Sequence, residues 1–142
     1  MKRKWLYIGV AAASVLQFFF ERLWREFLFI NSQRDFCPIL RESSQLVSNF
    51  LSKVAFALIV GFFYLHVPDQ KRSLKSGITI GSILGLLMGL YRFLDWYGSC
   101  TFSLSIIVVE IIKTMILGII CGAAISFAEL KINHRTKSAQ PD

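Results

Sequence analysis

The sequence predicts an all-α polytopic membrane protein, a four-helix transmembrane bundle with short loops and both termini cytoplasmic. Three observations predict it. The chain has 142 residues and is 54% hydrophobic, and its apolar residues come in blocks long enough to span a bilayer rather than in amphipathic stripes. Glycines recur at Gly77, Gly81, Gly85 and Gly89, a strict four-residue spacing that leaves one smooth groove along a helix. The basic residues lie mostly between and outside the apolar blocks, crowded into alternate connections. In water, glycines inside one helix would cost roughly 1 kcal/mol each against alanine. In lipid the helix has no alternative partner for its backbone, and glycine becomes a means of close packing.

The first span is read over residues 5–28. Lys2, Arg3 and Lys4 precede the uncharged run Trp5–Phe20, which looks like a signal peptide. The one A-x-A pattern, Ala11 and Ala13, falls inside the apolar run, so a retained helix is expected rather than cleavage. That run alone covers only about 24 Å of a hydrocarbon core of about 30 Å, so the helix should continue into the next turns. There Glu21 faces Arg25 and Arg22 faces Glu26. A polar connection, residues 31–45, holds Cys37 and Pro38.

The second span is read over residues 46–67, stopped by Pro68, with Lys53 near its start. A short basic loop with Lys71, Arg72 and Lys75 leads to the glycine-striped third span, residues 76–97, which ends in the aromatics Tyr91, Phe93, Trp96 and Tyr97. A brief turn with Gly98 and Cys100 should then open the fourth span, residues 102–128. Residues 131–142 read as a polar tail, and the whole chain as a single domain.

Orientation follows from the basic residues. Lys2, Arg3, Lys4, Lys71, Arg72, Lys75, Lys131, Arg135 and Lys137 occupy the two ends and the connection between spans two and three, whereas the opposite connections carry only Arg34 and Arg41. The positive-inside rule puts the first set in the cytoplasm, and the even number of spans agrees. A bacterial inner membrane is the expected location. The net charge of +7 would suggest nucleic acid in a soluble chain, but here membrane lipids are the expected partner and nucleic acid is not.

The fourth span has its own small-residue stripe, Gly118, Gly122 and Ser126. Consecutive helices joined by a short turn lie antiparallel and adjacent, so the two stripes are natural partners for each other. The alternative is a homo-oligomer or a partner membrane protein seated in the third-span groove.

Charges inside the spans oppose lipid logic. Glu110 and Lys113 would each cost up to roughly 3 kcal/mol at a helix centre, and Lys53, Arg92 and Glu110 should fall at similar depth in the outer half of the membrane. One reading is a set of internal ion pairs, Glu110 with Lys113 or Lys53 and Arg92 with Asp95. The other is a polar cavity of Lys53, Arg92, Glu110 and Lys113, open to the outside and suited to an anionic ligand such as a lipid headgroup.

Cys37 and Cys100 fall one in each outer connection and are expected to form a disulfide in an oxidising compartment, or to remain separate thiols otherwise. Cys121 is a buried packing residue. His66 sits at the cytoplasmic end of span two and His134 in the basic tail, with no metal-ligand spacing. No metal or cofactor is expected, and no nucleophile–base grouping, HExxH or pair of acids supports an enzyme. The expected function is therefore a non-enzymatic assembly, accessory or oligomerising subunit that packs through its glycine-striped helices, with a small transporter or channel using the outward-facing charged cavity as the alternative.

Overall fold

The computed structural model describes residues 4–28, 45–99 and 104–138, and their side chains at 4–24, 47–94 and 107–132. Four α-helices account for almost all of it: α1 (Lys4–Leu28), α2 (Gln45–Leu65), α3 (Leu74–Ser99) and α4 (Leu104–Ser138). Each contains a stretch long and apolar enough to cross a membrane, Lys4–Trp24, Val47–Leu65, Leu74–Leu94 and Ile107–Ile132. Cys37 and Cys100, and with them the disulfide expected from the sequence, lie outside the described residues.

The ends of the helices have local causes. The last turn of α2 tightens, with the amides of His66 and Val67 donating to the carbonyls of Phe63 and Tyr64 at 3.1 Å each. Pro68, at φ −55° and ψ 137°, then ends the helix and opens a short 3-10 turn, Asp69–Lys71. Ser73 caps α3 reciprocally with Ser76: the Ser73 amide donates to the Ser76 hydroxyl at 2.9 Å, and the Ser76 amide donates to the Ser73 hydroxyl at 3.2 Å. This capping box starts α3 at Leu74, two residues before the boundary expected at Ser76.

Other boundaries differ from the sequence reading as well, most of all at the ends of α3 and α4. Gly98 is not part of a turn but lies in the last turn of α3, and no glycine among the described residues has positive φ. The fourth helix does not stop at 128 but continues to Ser138, because nothing between Glu129 and Ser138 breaks a helix. Leaving an apolar environment ends a membrane span without ending hydrogen bonding along the helix.

α4 lies at the centre of the arrangement, packed against α1, α2 and α3. Two different kinds of contact hold it there. Trp5, Val10 and Ala13 of α1, Ala57, Val60 and Tyr64 of α2, and Cys121 and Ile125 of α4 form one buried apolar cluster, with Trp5 and Tyr64 meeting edge to face at 6.1 Å. α3 adds Ile80 and Leu84 at the margin of that cluster, but its main contact is a backbone-to-backbone seam with α4. Many other large apolar side chains, among them Phe19, Phe62, Phe63, Leu87 and Leu94, are exposed on the outside of the helices, an arrangement suited to lipid.

Candidate functional site

The seam between α3 and α4 is built from both small-residue stripes in antiparallel register. A methyl group placed on Gly77 would lie 2.6 Å from the Gly122 carbonyl oxygen and from the Ser126 side chain, and one on Gly85 would lie 2.5 Å from the Thr114 carbonyl oxygen. At Gly81 and Gly118 the clash is mutual, each methyl falling on the other residue's carbonyl oxygen, and a methyl on Gly122 would fall on that of Gly77. Gly89 closes the row against Ile111 and Thr114. At Gly77, Gly81, Gly85, Gly118 and Gly122 the Cα hydrogen therefore points toward a carbonyl across the seam, the geometry of the weak Cα–H···O contacts found where helices approach closely. The groove of α3 is filled by α4 of the same chain.

The hydroxyls along this packing are satisfied within their own helix. Ser126 donates to the Gly122 carbonyl at 2.7 Å, Thr114 to the Ile111 carbonyl at 2.9 Å, and Ser14 of α1 to the Val10 carbonyl at 2.8 Å. Gln17 of α1, fully buried, instead reaches another helix and donates from Nε2 to the Leu117 carbonyl of α4 at 2.9 Å. The stripe on α4 is longer than glycine and serine alone indicate, because Thr114 and Glu110 continue the same four-residue spacing toward the helix start.

Glu110 therefore brings a carboxylate to the end of the seam. There a charged layer crosses the bundle. Glu110 is ion-paired with Lys113 one turn along α4, and Lys53 of α2 reaches α1, its Nζ 2.6 Å from the Glu21 carboxylate. All four side chains are buried. Glu21 and Arg92 both act electrostatically on Lys113, so the two pairs and Arg92 share one level. Of the residues expected in a polar cavity, Lys53 thus pairs with Glu21, and Glu110 with Lys113. Arg92 is exposed on α3, while the side chains of Asp95 and Arg25, expected to pair with Arg92 and Glu21, lie outside the described residues.

A cleft opens at this level between α3 and α4, lined by Gly89, Arg92, Phe93, Ile107, Glu110 and Thr114. Its volume is about 10 Å³, the room of about one water molecule. Oε1 of Glu110, in this layer, is buried without a hydrogen-bond partner, as is Oε1 of Gln17 on α1. Here the layer can hold charge inside an apolar bundle, and it has one carboxylate oxygen to spare.

A second polar node lies at the opposite end of the bundle, where the sequence reads as a basic loop and the start of a tail. Arg72 donates from Nε to the Val67 carbonyl at 2.9 Å and from Nη2 to the Leu65 carbonyl at 2.5 Å, covering the free carbonyls at the end of α2. Its Nη1 lies 2.5 Å from the Asp69 carboxylate and 3.3 Å from that of Glu129 on α4. Glu129 is buried, and it, Arg72 and Ser76 are close enough to act on the buried hydroxyl of Tyr64. One guanidinium thus joins the end of α2, the following turn and α4.

The glycine stripes were visible as spacing, and the charges as departures from apolar composition. Glu21 and Arg72 are legible in the sequence only as half of a local charge pair and as part of a basic loop, and Gln17 and Glu129 carry no reading there, although a lone amide in the Trp5–Phe20 run and a carboxylate following Ala128 are the same kind of signal. Comparison with protein-family models, curated proteins and solved structures finds no match.

Proposed function

We propose that the chain is a non-enzymatic multi-pass membrane protein, an assembly or accessory subunit of a bacterial plasma membrane with both ends in the cytoplasm. The observation that carries this reading is its closed interior. The glycine seam is occupied by the chain's own helix, the buried charges are paired, and the cleft holds about 10 Å³. Other molecules meet its outer faces, where Ile83, Leu87, Tyr91 and Leu94 stand exposed along one side of α3. Extraction in mild detergent followed by native mass spectrometry tests the reading. A second membrane protein retained in fixed ratio is the expected result, and a chain carrying only lipid would overturn it. For the orientation, a cysteine at Lys71→Cys should escape an impermeant thiol reagent added outside intact cells, and labelling there would reverse it.

A transporter or channel is the second reading, favoured by one specific feature. The unpartnered Oε1 of Glu110 lies in a residue that lines the cleft with Arg92, and intramembrane carboxylates of this kind mark ion and proton paths. Its test is flux of protons or small ions into vesicles holding the purified chain. Transport lost in Glu110→Gln would favour this reading over the subunit, and no flux above protein-free vesicles would remove it.

A further inference from the structure

The end of the bundle that carries the Arg72 node has more positive charge than it uses. Arg72 is consumed by Asp69, Glu129 and the α2 carbonyls. Around it stand four exposed lysines, Lys4, Lys71, Lys75 and Lys131, none of which makes an ion pair among the described residues. They come from three helices and one turn, yet the fold gathers them. Lys4 precedes Trp5, whose ring packs on Tyr64. Lys71 precedes Arg72, Lys75 precedes Ser76 beside Tyr64, and Lys131 lies two residues beyond Glu129.

This level also marks where the apolar part of the bundle ends. The apolar stretch of α2 finishes at Leu65 and that of α4 at Ile132, while α4 continues as helix to Ser138. The Nζ of Lys131 lies over the ring of exposed Phe127, 5.9 Å from its centroid, a cation–π contact at the end of the apolar stretch of α4.

We propose that Lys4, Lys71, Lys75 and Lys131 form a collar that binds the phosphate-bearing headgroups of anionic lipids at this face of the bundle. The collar is independent of the subunit reading, since it requires only that the helices sit in a bilayer. Each lysine near an anionic surface contributes an attraction equivalent to roughly fivefold in binding, about 1 kcal/mol. The attraction weakens with salt, as the screening length falls from about 8 Å at physiological ionic strength to about 3 Å at 1 M.

The test uses the full chain reconstituted in bilayers of equal phosphatidylglycerol and phosphatidylcholine, then extracted in mild detergent, with the retained lipid weighed by native mass spectrometry. The wild-type chain should retain phosphatidylglycerol in several-fold excess, and high salt should reduce the excess. Lys4→Gln, Lys71→Gln, Lys75→Gln and Lys131→Gln combined should bring the ratio close to that of the bilayer, while the same four positions changed to Arg should keep the enrichment. All four side chains are exposed, so both variants should melt as the wild type does, which separates lost binding from lost fold. Enrichment that survives in the folded glutamine variant would overturn the proposal. So would loss of the bound lipid to inorganic phosphate at constant ionic strength, since the collar would then read free phosphate rather than a membrane surface.

Discussion

Adding one methyl group separates two kinds of glycine in this chain. At Gly81 or Gly118 the methyl meets a backbone carbonyl that cannot move without moving its helix, whereas at Gly61 it meets the tip of the Leu6 side chain at 2.8 Å, which can rotate away. Gly81→Ala should therefore destabilise the chain by about 1 to 3 kcal/mol, the usual range for overpacking. Gly61→Ala should be close to neutral, since about 1 kcal/mol of helix propensity offsets its small strain. Unfolding by SDS titration in mixed micelles would rank the two, and equal stability would remove the seam as a source of specificity.

The buried pair on α4 allows a second test at the same scale. Lys113→Met leaves Glu110 buried without its cation, which should cost about 3 to 5 kcal/mol if the carboxylate stays charged. Combining it with Glu110→Gln should recover much of that loss, because an apolar–neutral pair places no net charge in the layer. If the double variant is as unstable as the single one, the pair is not what holds these residues in place.

Arg72 shows how an element is terminated by something outside it. α2 ends for a local reason, Pro68, but its last carbonyls are covered by a side chain that arrives after the turn and is itself held by α4. Arg72→Ala should lower the melting temperature through loss of charge-assisted hydrogen bonds, each worth about 1.5 to 3 kcal/mol. Arg72→Lys should rescue little, because a single ammonium cannot reach two carbonyls and a carboxylate in the same fork. Rescue by lysine would show that charge alone matters. Of these local signals, proline was legible in the sequence, and the Ser73 and Ser76 box could have been read from their spacing of three. The reach of Arg72 was not legible, since it depends on how the turn brings α4 near.

Across the whole molecule, the number and approximate places of the apolar helices were legible because hydropathy over some twenty residues is a strong signal. The seam was legible as two matching periods. What spacing could not give was the division of labour around α4, with a side-chain core toward α1 and α2 and a backbone seam toward α3. Nor could it pair Lys53 with Glu21, because that depends on the depth at which α1 and α2 cross. The far end of α4 gives a test at this scale. Ending the chain after Ile132, where the apolar stretch of α4 finishes, should leave stability within about 1 kcal/mol. Ending it after Ala128 removes Glu129 and leaves Arg72 without its partner on α4, and should destabilise clearly. Equal melting of the two truncations would show that the Arg72 node does not hold the bundle together.

The mutual clash at the seam also has a bearing on inheritance. Glycine is the smallest residue the genetic code can specify, so every missense change at Gly77, Gly81, Gly85, Gly118 or Gly122 places at least a carbon against a neighbouring helix. No conservative neighbour exists in codon space at these sites, whereas an outward Leu87 or Phe63 can drift among apolar residues with little effect. A saturation library selected for accumulation in the membrane should therefore lose nearly all variants in columns that recur every four residues along α3 and again along α4, leaving the antiparallel register written in the survivors.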